Sequence, residues 1–175
     1  MTPTTITRER LATAFADGVG TLTLDDSAGD EVIEAARQAG HRFAATRRWA
    51  QVVGDRLDTT ALRAALGLSR QALAKRVEAG TIIAVPGTGT TWYPTWQFHP
   101  APDGDRLEVR PIISVLLRRF RDALGADTAG PNVVSWAATE QPELDHTTPQ
   151  AWIRAGGADD VVVLAAERAA AALAR

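Results

Sequence analysis

Apolar residues recur at close to 3.6-residue spacing through most of the chain, which predicts a mainly helical protein. The first helical pattern covers residues 5–15, and a short alternating stretch at residues 21–24 is typical of a strand. The longest pattern covers residues 31–53 and contains Gly40, a residue that favours a break there. Residues 111–124 carry the widest apolar face, with Pro111 in the first turn. Further short helices are predicted at residues 131–136, 150–154 and 161–173.

Two short helical patterns in the middle of the chain are joined by a three-residue turn. The first covers residues 61–66 and the second residues 70–79, with Gly67, Leu68 and Ser69 between them. Glycine commonly ends a helix and serine commonly caps the start of one. This order of signals is typical of a helix-turn-helix.

The segment that follows the second helix changes to the pattern of a β-hairpin. Residues 81–85 are predicted to form a strand, residues 86–89 a turn and residues 90–93 the returning strand, which Pro94 ends. A hairpin directly after a helix-turn-helix is a wing. We expect Trp96 and Phe98 to pack this wing against the helices.

One face of the second helix has the side chains that read DNA. At about 100° per residue, Arg70, Gln71, Ala74, Lys75 and Glu78 share one face, and we expect Leu73 and Val77 to point into the core. In this motif the second helix lies in the major groove, where arginine pairs with guanine and glutamine with adenine. The predicted DNA-binding residues are Arg63, Ser69, Arg70, Gln71, Lys75, Arg76, Thr88 and Thr90. The alternative is that Gly-Leu-Ser merely joins two helices of a small domain.

Charge and composition narrow the function further. The chain has 175 residues, no cysteine and a net charge of −2, but residues 31–80 are net +4 while residues 1–30 and 131–175 are each net −3. A basic middle favours an anionic partner, although nine basic residues in fifty is also close to average. The three histidines of the chain are far apart in sequence, and the chain has neither a phosphate-binding glycine loop nor a nucleophile elbow. We therefore predict no enzymatic activity, no metal and no cofactor.

Pro- and Gly-rich residues 100–105 are the best candidate linker. The predicted organisation is an N-terminal helical segment (1–56), a winged helix-turn-helix (57–100) and a C-terminal helical bundle (101–175). With neither a signal peptide nor a stretch of about 20 apolar residues, we expect a cytoplasmic protein. We expect a homodimer, because two-fold proteins read paired half-sites. The apolar faces of residues 31–53 and 111–124 are both candidate interfaces, and the alternative is that both faces are core.

The chain from Leu66 to Leu173 resembles the Xre/MbcA/ParS antitoxin group and related actinobacterial winged helix-turn-helix proteins. The resemblance is carried by the residues 68–73 and 93–98, and by Ser135, Trp136, Pro142, Leu144, Thr148, Pro149, Ile153, Gly156 and Val161 to Leu164. It implies an antitoxin that binds its own promoter and masks a toxin, often one with an NAD-degrading RES domain, through its C-terminal helices. His146 stands where the family has glycine, and the N-terminal region is longer than is typical.

The predicted partner-binding residues are Trp136, Trp152 and Ile153, because tryptophan is enriched in binding hot spots. Core packing is the alternative for both tryptophans. The predicted function is thus an antitoxin-type DNA-binding regulator. The alternative is a protein-binding antitoxin or adaptor without DNA-binding activity.

Overall fold

A computed structural model of the chain describes residues 8–19 and 26–175. It is mainly helical with two small antiparallel sheets, which confirms the predicted class. The strands are β1 (Arg56–Leu57), β2 (Val85–Pro86), β3 (Thr91–Pro94), β4 (Phe98–Pro100) and β5 (Leu107–Val109). The α-helices are α1 (Arg8–Val19), α2 (Asp26–Val53), α3 (Thr59–Leu66), α4 (Arg70–Glu78), α5 (Ile112–Leu124), α6 (Ala126–Ala137), α7 (Pro149–Arg154) and α8 (Asp159–Leu173). None of the helices in the described ranges is long and apolar enough to cross a membrane.

The chain divides into two compact units, at residues 1–44 and 45–175. The first unit contains α1 and most of α2. Helix α2 is longer than predicted, and Gly40 does not interrupt it. The predicted strand at residues 21–24 lies outside the described residues.

The second unit begins with a three-stranded antiparallel sheet in the order β1-β3-β2. β3 pairs with β2 to form the predicted wing, in which Val85 lies opposite Trp92. The other edge of β3 pairs with β1, so that Leu57 lies opposite Tyr93. Strand β1 precedes the helix-turn-helix, and its two residues are too few to show a pattern in the sequence.

Most of the predicted strand at residues 81–85 is irregular, because a side chain replaces the partner strand. The amide of Gln97, which is fully buried, accepts a hydrogen bond from the Ile83 N–H at 2.7 Å. It also donates to the carbonyl oxygens of Ile83 at 2.9 Å and Pro94 at 3.1 Å. Buried backbone groups need such partners, and here one glutamine supplies them.

Residues 100–105 are not a linker between domains. They form the connection of a second hairpin, in which β4 pairs with β5 and the Ala101 N–H donates to the Arg106 carbonyl at 2.8 Å. The chain then enters α5, whose predicted extent is confirmed.

The C-terminal helices form a bundle around α5. Helix α6 begins earlier than predicted, at Ala126, and includes Pro131 in its interior. Helix α8 begins two residues earlier than predicted, at Asp159, with Ala158 at its N-cap position. The apolar face of α5 is buried in this bundle, since Ile113, Leu116 and Phe120 are each 0% exposed. The face of residues 111–124, one of the two candidate dimer interfaces, is therefore core and not a dimer interface.

Two apolar clusters hold the second unit together. The smaller one, between the helix-turn-helix and the sheets, consists of Leu62, Leu66, Leu73, Ile82, Tyr93 and Phe98. The larger one joins the wing residues Val85 and Trp92, and Trp96 just beyond the wing, to α5, α6 and α8. Phe98 thus packs the hairpin against the helix-turn-helix as expected, whereas Trp96 packs toward the bundle. Because the larger core draws on both sides of residue 100, the structure has no division there.

Candidate nucleic-acid interface

The helix-turn-helix is built from α3, a tight turn and α4, and local capping determines each boundary. The Asp58 carboxylate accepts a hydrogen bond from the Ala61 N–H at 2.8 Å, which begins α3. Gly67 has φ of +64°, the left-handed conformation that glycine adopts easily, and it ends α3. The Ser69 hydroxyl accepts from the Ala72 N–H at 3.1 Å and begins α4. The predicted turn is confirmed, with Gly67 at the end of α3 and Ser69 as the N-cap of α4.

Helix α4 presents the predicted polar face to solvent. Leu73 is 1% exposed and packs into the smaller core, while Val77 is half-buried beside it. The predicted polar face is exposed along its whole length. Its members are Arg70, Gln71, Ala74, Lys75 and Glu78. In the described part of the chain, no carboxylate lies within 4.0 Å of the cationic groups of Arg70, Lys75 or Arg76. These cations are thus available to an external anion.

Arg63 is placed differently from the other predicted DNA-binding residues. It is half-buried, and its Nε donates to the Leu68 carbonyl at 3.4 Å. The guanidinium group therefore reaches back to the turn that joins α3 to α4. This contact gives Arg63 a structural role in the motif.

Arg106 is a basic residue of this region that the sequence reasoning missed. A Cβ atom added to Gly67 would lie 3.5 Å from the Arg106 Nη1, so the exposed side chain lies against the helix-turn-helix turn. Because residues 100–105 had the composition of a linker, nothing in the sequence indicated that the chain returns here. The β4–β5 hairpin thus brings a further positive charge close to the start of α4.

The wing has an exposed tip, and a hydrogen bond holds the strand residue next to it. Thr88 and Thr90 are exposed at the tip, and the Gly87 N–H donates to the Thr90 carbonyl at 2.9 Å. Directly before the turn, the Trp49 indole donates to the Pro86 carbonyl at 2.8 Å. Both threonines are therefore presented on a hairpin that is tied to α2.

A second contact restrains the face of the same sheet. The Arg56 guanidinium lies 4.0 Å from the centre of the Trp92 ring and donates to the carbonyls of Ala50 and Gly54. Such stacking and hydrogen bonding hold the wing sheet against the end of α2.

The far end of α4 is fixed to the bundle. The Arg121 Nη2 donates to the Glu78 carbonyl at 3.0 Å, at the helix end where the macrodipole is negative. Gly80, just beyond, has φ of +70°, and an added Cβ atom would clash with the same guanidinium group. Arg121 therefore positions α4 and is not part of the exposed polar face of that helix.

The predicted partner-binding residues are largely buried, so they do not form an exposed apolar patch. Trp136 is 6% exposed and packs 5.6 Å from Phe120, measured between ring centres. Ile153 is 5% exposed, while the half-buried Trp152 donates from Nε1 to the Ala158 carbonyl at 3.2 Å. Trp136 and Ile153 are therefore core residues. For Trp136 this is the alternative that the sequence left open, and the predicted partner-binding role on an exposed patch is wrong for both residues.

A cavity of 530 Å³ lies beside the bundle, with His99, Arg110 and Asp159 among its lining residues. Two of these polar groups already contact backbone carbonyls. The Arg110 Nε donates to Phe98 at 3.2 Å, and the His99 Nδ1 lies 2.9 Å from the Pro100 oxygen. The Arg110 Nε and the His99 Nδ1 are therefore both next to backbone oxygens of β4.

Comparison of the chain with known protein families, with curated proteins and with solved structures finds no match. The resemblance to the Xre/MbcA/ParS antitoxins accordingly stays a prediction, and the candidate interface rests on its own geometry.

Proposed function

We propose that this protein is a cytoplasmic DNA-binding transcriptional regulator that reads duplex operator DNA with α4. The observation that carries the proposal is the exposed face of α4, where Arg70, Gln71 and Lys75 lie beyond a capped N-terminus on a helix whose opposite face is core. The protein acts by occupying its site and needs neither a cofactor nor a catalytic residue.

Each part of this surface has a distinct role in the proposal. Arg70 and Gln71 are in the first turn of α4, the part of a recognition helix that meets base edges. Lys75 and Arg76 contact phosphates, which contribute affinity without reading sequence. Thr88 and Thr90 of the wing tip, and Arg106 beside the turn, contact further phosphates of the DNA backbone.

The sharpest test compares an α4 variant that reads bases with one that contacts phosphate. A cognate duplex is first selected from a random library and labelled, and affinity is measured by fluorescence anisotropy over a range of salt concentrations. Arg70→Ala should cost about 1–3 kcal/mol at the cognate site and relax the base preference at one position. Lys75→Ala should weaken all duplexes evenly and reduce the slope of log K against log salt by about 0.9.

Arg154→Ala is the matched control, because Arg154 is an exposed arginine of α7 outside the proposed surface. It should leave both the affinity and the salt slope unchanged. Absence of binding to random duplexes at low salt would remove the proposal, as would an Arg154→Ala variant that binds as weakly as Lys75→Ala.

A second candidate function is neutralisation of a protein toxin, of the RES type by resemblance. It is favoured by the acidic C-terminal region, where Leu164 on α8 is 47% exposed and the exposed Asp160 lies on the same side of the helix. An apolar residue with a charged rim suits a basic partner. If a toxin gene adjoins this one, its product should be inhibited by the wild-type protein and less so by Leu164→Arg, while Arg70→Ala should inhibit normally.

A further inference from the structure

Helix α2 has an exposed apolar stripe in the first unit. At about 100° per residue, Val32, Ala36, Ala39 and Phe43 fall within roughly 60° of one another, and Ile33 lies at the edge of the same stripe. The large members are exposed, at 41% for Val32, 58% for Ile33 and 58% for Phe43. Contiguous apolar surface of this kind marks an interaction site.

The charges of α2 are divided along its length. Residues 26–34 contain four acidic residues and no basic one, whereas residues 37–48 contain four arginines and no acidic residue. Two copies of α2 placed in parallel would bring like charges together. In an antiparallel pair, the acidic half of each helix would lie along the basic half of the other.

We propose that α2 is a self-association surface, on which two copies of the chain pair with their α2 helices antiparallel. A two-fold axis near residues 37–38 would place Phe43 of each copy against Val32 of the partner subunit. The same register would bring Glu31 of one copy to within about two residues of Arg42 of the partner subunit, on one flank of the stripe. The interface is isologous, so it closes at two copies.

The middle of the stripe favours a close approach of the two helices. Ala36, Ala39 and Gly40 separate the large residues at its two ends, and an added Cβ atom at Gly40 would meet nothing within 4 Å. On the other flank, Arg37 lies nearest the axis, and it is paired with Glu34 of its own helix. That ion pair reduces the repulsion between the two copies of Arg37.

Sedimentation equilibrium of the full-length protein tests the pairing, independently of DNA. We expect a mass of about 37 kDa, twice the 18.7 kDa of the chain, at micromolar concentration. Phe43→Glu should raise the dimer Kd more than tenfold and give a monomer with unchanged helicity by circular dichroism. The matched control is His41→Glu, which adds a carboxylate at the same end of α2 but about 160° away from Phe43; it should remain dimeric.

A wild-type mass of 18.7 kDa at all concentrations would overturn the proposal, as would a dimeric Phe43→Glu variant. A monomeric wild type together with a loss of helicity in Phe43→Glu would instead assign the stripe to α1 of the same chain.

Because the chain has no cysteine, single cysteine variants can report the orientation. Val32→Cys and Phe43→Cys proteins, one carrying a mass tag, are mixed and oxidised. The antiparallel arrangement predicts the mixed disulfide as the main product, since identical positions lie about 11 residues, or roughly 16 Å, apart along the axis. Predominance of the two self-linked products would mean a parallel pair and would contradict the proposal.

Discussion

Replacing Gln97 with methionine removes the amide that substitutes for a strand partner while keeping the length of the side chain. The buried Ile83 N–H and C=O would both lose their partner, and so would the Pro94 carbonyl. Each buried polar group left unsatisfied costs about 1–3 kcal/mol, so the two groups of Ile83 alone predict a loss of roughly 2–6 kcal/mol. Whole domains are stable by only about 5–15 kcal/mol, so the variant should be strongly destabilised.

Urea denaturation followed by circular dichroism measures this loss as a change in the free energy of unfolding. Hydrogen exchange adds a local readout, because the Ile83 amide should lose protection before the core of the bundle does. Gln51→Met is the control, since Gln51 is exposed on α2 and its replacement should change stability by less than about 0.5 kcal/mol. A Gln97→Met variant within about 1 kcal/mol of wild type would refute the reasoning that this amide satisfies the segment.

Two further predictions concern contacts of the second unit. Arg121→Ala should lower DNA affinity and speed hydrogen exchange at the C-terminal end of α4, because Arg121 no longer holds the Glu78 carbonyl; unchanged exchange there would contradict it. A hydrogen bond from its own backbone and the bond to Arg168 lower the pKa of Glu143 below its ordinary value of 4.5. The contribution of Glu143 to stability should therefore be present above about pH 4.5 and be lost as the pH falls through the depressed pKa. Arg168→Ala should raise the pKa of Glu143 in an NMR titration. An unmoved titration in that variant would exclude the contact in solution.

Local signals along the chain were enough to predict the helix-turn-helix. A cap bonds to a backbone group two or three residues away, and a left-handed glycine acts at its own position. Gly67 and Ser69 could therefore be interpreted without knowing the rest of the fold. The exposed face of α4 followed from helical spacing, because the apolar positions Leu73 and Val77 define the side that packs into the core.

The strands were harder to predict, because a strand is defined by what it pairs with. β1 is two residues long, and its partner β3 lies more than thirty residues later in the chain. Residues 81–83 have the β-branched pattern of a strand, but the groups of Ile83 bond to the Gln97 side chain. No spacing rule connects these positions.

The sequence by itself determined the mainly helical class, the capped helix-turn-helix and the charge division along α2, since each of these depends on neighbouring residues. Only the tertiary structure decided that Trp136 and Ile153 are core, that Arg106 lies against Gly67, and that residues 100–105 connect two paired strands. A tryptophan on a short helix has the same local pattern whether it is buried or exposed. Its environment is decided by distant elements that pack over it, and the free energy of that packing depends on the whole fold.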